Sequence, residues 1–205
     1  MPPQIKINVY TSDKLAANIY TFQAKNHYCL KNFNSKLKSQ RAGGLIIYRA
    51  NCTVALQTAD CVPLILSHRQ EPLVIVLHLD WLGTAINLTQ KTLNHLTRKY
   101  RLKAEDFRAF IGPSICQKYY SNRGWKGRLK SLIFKFFGWN TAVAKIANRW
   151  HFALAATVKQ QLLLSGVSDV TQSNQCTYCD NLPSKRRGKQ NGQQVITEVT
   201  LTCNV

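Results

Sequence analysis

Apolar positions along this chain follow two different periods. Up to about residue 80 they come in short runs rich in β-forming residues, and residues 5–10 and 19–22 predict strands. Gly43-Gly44 reads as a turn feeding a strand over 45–48, and residues 52–58 continue in β-type residues. Residues 62–66 and 72–77 are nearly unbroken apolar runs, the pattern of strands buried on both faces, with His68-Arg69-Gln70-Glu71 as the hairpin connection. After Gly83 the spacing changes: Ala85, Leu88, Thr92, Leu93, Leu96 and Tyr100 recur at helical intervals. A short strand over 107–111 ends at Gly112-Pro113. A second helix is expected over about 148–164, stopped by Ser165-Gly166. Residues 167–170 and 194–203 close the pattern as strands. The pattern predicts one mixed α/β domain.

The stretch 121–149 is the least regular. Arg123, Lys126, Arg128, Lys130, Lys135, Lys145 and Arg149 alternate there with Trp125, Leu129, Leu132, Ile133, Phe134, Phe136, Phe137 and Trp139. Such a helix suits an anionic lipid or phosphate surface. The plainer expectation is that its apolar side packs on the core and its basic side is wetted.

Composition narrows the class. An apolar content of 45% over 205 residues supports a globular core and a single domain. No apolar run approaches the roughly 18–20 residues that span a bilayer. The first residues carry no secretory leader pattern. Seven cysteines at irregular spacing do not form a secreted disulfide framework. A cytoplasmic or organelle interior is therefore expected. The net charge of +19 favours phosphate-bearing partners and non-specific nucleic-acid binding, although no nucleic-acid reading motif accompanies it.

Four blocks carry chemistry-bearing residues: Thr58-Ala59-Asp60-Cys61-Val62-Pro63-Leu64; His78-Leu79-Asp80-Trp81-Leu82-Gly83-Thr84; Ile111-Gly112-Pro113-Ser114-Ile115 with Tyr120; and Cys176-Thr177-Tyr178-Cys179 with Ser184-Lys185-Arg186-Arg187 and Gly192. In this order they resemble the YfiH or laccase-domain family, also described as polyphenol-oxidase-like. The resemblance implies one domain over 1–205, shortened at the N-terminus, with an α/β fold: a mixed α+β sandwich of sheets flanked by helices. It implies action on purine nucleosides, by phosphorolysis or adenosine deamination, and a His–Cys–His metal centre.

The chemistry of the residue types agrees with that expectation. A histidine near a thiol suits zinc or copper, and an open zinc site activates water. Arg186 and Arg187 are candidate phosphate ligands, and Trp81 a candidate wall for a purine. His78 follows a buried strand and precedes a glycine turn, where a lone histidine is more often structural than a ligand; the family resemblance reverses that and implies His78 as the leading catalytic and metal candidate. Cys61 and Asp60 stand open between two readings: a nucleophilic or metal-proximal thiol with a carboxylate orienting His78, or a buried thiol with a carboxylate capping local amides.

The remaining metal candidates are Cys116 and His151. The family cysteine falls at Lys118 or Tyr119, so Cys116 serves only if its loop shifts by about two residues. His151 lies in Trp150-His151-Phe152-Ala153-Leu154, where Phe152-Ala153 replaces a family Leu-Asp pair; it is either the second metal histidine or an ordinary polar residue near a helix start. Leu82 and Gln193 replace family cations, which weakens phosphate capture. Cys176 and Cys179 form a C-x-x-C lacking the partners of a zinc finger. His27 loosely resembles an upstream family histidine, and His68 and His95 read as surface residues. A catalytically degenerate relative binding RNA or another polyanion is the alternative reading. A multicopper oxidase ranks low, because five histidines without an H-x-H pair do not build its clusters.

Overall fold

The computed structural model describes residues 4–12, 20–24, 30–32, 39–48, 52–188 and 193–202. His27, Cys29, Gly192 and Cys203 lie outside them.

Two large sheets and one small one organise these residues. The first has five strands in the order β1 (Gln4–Ser12), β14 (Gln194–Thr202), β6 (Cys52–Thr58), β2 (Tyr20–Ala24), β4 (Ser39–Ala42). The second has six, in the order β13 (Asp169–Gln172), β9 (Phe107–Ile111), β7 (Val62–His68), β8 (Val74–Leu79), β5 (Gly44–Ile47), β3 (Leu30–Asn32). Both mix parallel and antiparallel pairs: β7 runs antiparallel to β8 and β9, and β9 parallel to β13. The third joins β10 (Ser121–Arg123), β12 (Arg149–Phe152) and β11 (Val143–Ile146) antiparallel.

The six-stranded sheet is the middle layer. Leu45, Ile47, Ile65, Val74 and Val76 pack with Val54, Leu56, Val199 and Leu201 of the five-stranded sheet. The alternate residues Ile46, Leu64, Leu66, Ile75 and Leu77 join a second core under the helices. A strand with both faces covered has no place for polar residues, which explains the unbroken apolar runs. The helices are α1 (Trp81–Ala85), α2 (Leu88–Tyr100), α3 (Gly124–Phe136) and α4 (Leu154–Leu164). Gln161 of α4 ties to α1 by donating from Nε2 to the Thr84 carbonyl at 2.6 Å.

Three expectations need correction. The helical pattern after Gly83 is two helices, because Asn87 takes a left-handed conformation (φ 56°) and caps α2 through its side chain. Residues 149–152 form a strand paired on both sides, so His151 stands mid-sheet, not near a helix start. The last short strand begins at Asp169, later than expected. His68 is also buried, not a surface residue: its Nδ1 accepts from the Gln70 and Glu71 amides at 3.2 and 2.9 Å, and its ring meets Phe107 edge-on.

Helix α3 departs from the plainer expectation as well. Gly127, Ser131 and Phe134 face inward, while Trp125 (71% exposed), Leu129, Leu132 and Phe136 (84% exposed) stay in solvent beside the lysines. Its seat depends on Gly127. A Cβ there would lie 2.5 Å from the Asn122 carbonyl oxygen and 2.7 Å from Trp150 Cδ1. Gly127→Ala is expected to lower stability by about 1–3 kcal/mol, the usual cost of overpacking. Urea unfolding checks this; an unchanged midpoint would show that α3 does not need the close approach.

Candidate active site

The four motif blocks converge where β6 turns into β7. Asp60 has a left-handed backbone (φ 82°), a conformation aspartate tolerates better than most residues. This turns its carboxylate inward. Oδ1 accepts from Thr177 Oγ1 at 2.8 Å and Oδ2 from the Arg186 amide at 3.0 Å, while its carbonyl accepts from the Ile115 amide at 3.1 Å. One residue of the first block thus holds the third and fourth. The first and second are joined by the β7–β8 ladder, where Pro63 faces His78. Gly112 closes the joint: its amide donates to the Pro63 carbonyl at 2.9 Å, and a Cβ on it would meet Pro63 Cγ at 2.7 Å. Asp60 therefore ties distant segments, where the sequence suggested local amides or an orienting role toward His78.

In the second block, Asp80 caps α1 by accepting from the Leu82 and Gly83 amides at 3.1 and 2.7 Å. That places Trp81 at the helix start, half-buried, with Lys130 Nζ 4.7 Å from its ring centroid. Lys130 reaches in from α3, three residues beyond Gly127 and so on the same side of the helix. It donates to Asn122 Oδ1 at 3.2 Å and to the Tyr120 hydroxyl at 3.4 Å. Arg186 reaches the same residues from the fourth block. Its guanidinium lies 5.0 Å from the Tyr120 ring centroid, and it donates to the Ser121 carbonyl at 2.7 Å and to Asn122 Oδ1 at 3.4 Å. Two cations thus converge on one amide oxygen.

The electrostatics follow from this crowding. Burial, with the Arg186 charge beside it, pushes Lys130 down to about 8. Burial pushes the Cys61 thiol up to about 12, with Asp80 adding to the rise, so it stays protonated at neutral pH. A nucleophile or metal ligand needs the thiolate. Tyr120 is also raised, chiefly by burial.

The other candidates have varied surroundings. Arg187 is engaged in the turn before it, donating to Asn181 Oδ1 and the Leu182 carbonyl. His78 is half-buried at the end of β8, its amide bonded to the Gly43 carbonyl. His151 Nδ1 lies 3.1 Å from the Gln117 carbonyl, which fixes its tautomer as Nδ1–H. Cys116 does not join these histidines. Among the described residues, the three metal-ligating atoms that come within 4.8 Å of one another belong to Cys116, Cys176 and Cys179. Tyr119, one of the two residues that stand where the family cysteine falls, stacks on Tyr178 at 3.9 Å. Among the described residues, the donors of a His–Cys–His centre are therefore not brought together, and the residues present do not fit one.

Sequence reasoning missed Lys130 and Asp80 as site residues. Lys130 was one cation among many in a basic stretch, and only the tertiary fold brings it over Trp81. A cleft of about 520 Å³ opens elsewhere, lined by residues including Ile5, Ile7, Arg69, Arg108 and Asp169. Its charges are already paired, with Asp169 accepting from Arg69 at 2.8 Å and lying 3.2 Å from Arg108.

The family described as multi-copper polyphenol oxidoreductase laccase matches residues 13–199, a span containing all four blocks. The chain belongs to this laccase-domain family. It is 32% identical over 151 residues to a purine nucleoside phosphorylase of Rickettsia prowazekii, covering 71% of this chain and 60% of that protein. To an adenosine deaminase from an unknown prokaryote it is 27% identical over 149 residues, covering 68% and 55%. The chain thus spans about three fifths of the length of such relatives. Its fold is similar to that of the Bacillus licheniformis hypothetical protein YfiH (TM-score 0.77, 22% identity, 89% of this chain and 74% of that one). A Neisseria meningitidis structure assigned to DUF152 gives 0.75, with 19% identity over 90% and 76%. Laccase-domain membership and the mixed α+β fold expected from the four blocks are both borne out.

Asp60→Asn tests the joint without disturbing its backbone, since asparagine also tolerates a left-handed conformation. The amide leaves one of the two side-chain donors facing an NH₂ group. A loss of about 1–3 kcal/mol is expected in denaturant unfolding. Full stability in this variant would show that the carboxylate does not hold the blocks together.

Proposed function

We propose that this laccase-domain chain binds a purine nucleoside together with phosphate and cleaves the glycosidic bond by phosphorolysis. The observation that supports this most is the convergence of Lys130 and Arg186 on Asn122 Oδ1. Two like charges held this close oppose each other, and the repulsion is relieved when an anion enters between them. Phosphate supplies that charge, and both side chains retain donors beyond those used within the protein. The relatives named purine nucleoside phosphorylase agree with this assignment.

In phosphorolysis a phosphate oxygen attacks C1′ of the ribose. The C1′–N bond breaks, its electron pair passes to the purine, which takes up the proton of the attacking hydrogen phosphate, and the products are free base and ribose 1-phosphate. The protein's part is to hold phosphate where it attacks and to stabilise charge as it shifts. Lys130 and Arg186 hold the phosphate, while Trp81 and Tyr120 set the positions of the two cations. Asp60 acts through Arg186, fixing its backbone, and is a positioning residue. Deamination requires an activated water instead, and the cation pair contributes nothing specific to that step.

Lys130→Met is expected to raise the phosphate KM for inosine cleavage about 10- to 100-fold, matching the roughly 1.5–3 kcal/mol of a hydrogen bond to a charged group. Because the Lys130 pKa is lowered to about 8, its ammonium is present below that pH and lost above it. Phosphate affinity of the unmodified protein should therefore fall as pH rises through about 8, and the variant should not show this inflection. An unchanged phosphate KM in Lys130→Met would overturn the assignment.

A further inference from the structure

The fourth motif block contains a C-x-x-C whose missing partner comes from the third. Cys116 Sγ lies 3.8 Å from Cys179 Sγ, and the sulfurs of Cys116, Cys176 and Cys179 are all within 4.8 Å of one another. A separation of 3.8 Å is far too long for a disulfide, whose sulfurs stand about 2.05 Å apart. It matches the edge of a tetrahedron with metal–sulfur bonds of about 2.3 Å, which is about 3.8 Å.

The backbone supports the same geometry. The amides of Cys116 and Cys179 point at Cys176 Sγ, at 3.2 and 3.5 Å, so two N–H dipoles face one sulfur. Donors arranged in this way favour a thiolate. The turn is held in place by the Cys176 amide, which donates to Asp180 Oδ2 at 2.6 Å. From the other side, the Thr177 amide donates to the Ser114 carbonyl at 3.2 Å. The three sulfurs thus come from two segments already fixed to each other, both attached to Asp60. Cys116 and Cys176 are partly buried and Cys179 is exposed, so one face of the cluster opens to solvent.

We propose that Cys116, Cys176 and Cys179 form a three-thiolate site for a thiophilic d10 ion, zinc or cuprous copper. Thiolates select such ions over hard cations. The fourth position is left to an exogenous ligand, since among the described residues no further His, Cys, Asp or Glu atom joins the group. Binding displaces thiol protons into solvent and clips the 113–120 segment to the 176–179 turn. This site is separate from His78 and His151, and it does not depend on the nucleoside reading.

The experiment uses the full chain, purified under reducing conditions and titrated with zinc, cuprous and cobaltous ions. One equivalent of zinc or cuprous ion should bind in the unmodified protein, and the cobalt form should show sulfur-to-cobalt charge-transfer absorption. Cys179→Ser and Cys116→Ser should each weaken binding by at least about 100-fold, at or beyond the upper end of what an outer-shell change costs. The double variant His78→Ala, His151→Ala should bind as the unmodified protein does. Absence of the charge-transfer absorption overturns the proposal without requiring any variant to fold. So does metal that survives both serine substitutions but is lost with the histidines, and so does a Cys116–Cys179 disulfide formed in place of metal binding.

Discussion

The constraint on which the site depends is the Asp60 carboxylate. Two segments far apart in sequence meet it, the 176–179 turn through Thr177 and the basic 184–187 segment through the Arg186 amide, while the 113–115 loop is held by the same residue's backbone carbonyl through the Ile115 amide. A buried carboxylate is tolerated only when its acceptor positions are filled, and here two donors on different segments fill them. Neither segment can move away without leaving a buried polar group unsatisfied. The left-handed backbone at Asp60 costs some energy by itself, and it persists because two side-chain hydrogen bonds and one to its carbonyl hold it in that conformation.

The layers of the fold place that joint where chemistry is possible. The six-stranded sheet is buried on both sides, so its strands are rigid and their ends well fixed. The functional blocks follow or precede those ends: Asp60 and Cys61 before β7, His78 to Trp81 at the close of β8, Gly112 to Tyr120 after β9. Helix α3 then rests on the small sheet through Gly127 and carries Lys130 over Trp81. Arg186 comes from the segment that Asp60 anchors. The cation pair therefore depends on two separate supports, one of glycine packing and one of carboxylate bonding.

Much of this was legible in the residue pattern. The apolar runs at 62–66 and 72–77 announced a sheet covered on both faces, and the four blocks marked the segments that meet. The helix expected over 148–164 failed at its start because Trp150 and Phe152 are apolar for a different reason: they cover a small sheet that pattern alone does not reveal. Cys116 could join two histidines only through a shift of its loop, because family spacing puts the metal cysteine at Lys118 or Tyr119; the Ser114–Cys176 bridge turns it toward the C-x-x-C instead. Lys130 was hidden among identical charges. Which lysine of a basic helix faces inward depends on its seat, and that seat is set by a backbone carbonyl and an indole outside the helix.

The most direct measurement identifies the sugar product when inosine is incubated with the purified chain and phosphate. Phosphorolysis at the Lys130–Arg186 pair predicts ribose 1-phosphate and hypoxanthine in equal amounts, with no turnover when phosphate is left out. Free ribose, or cleavage at the same rate without phosphate, would contradict the account.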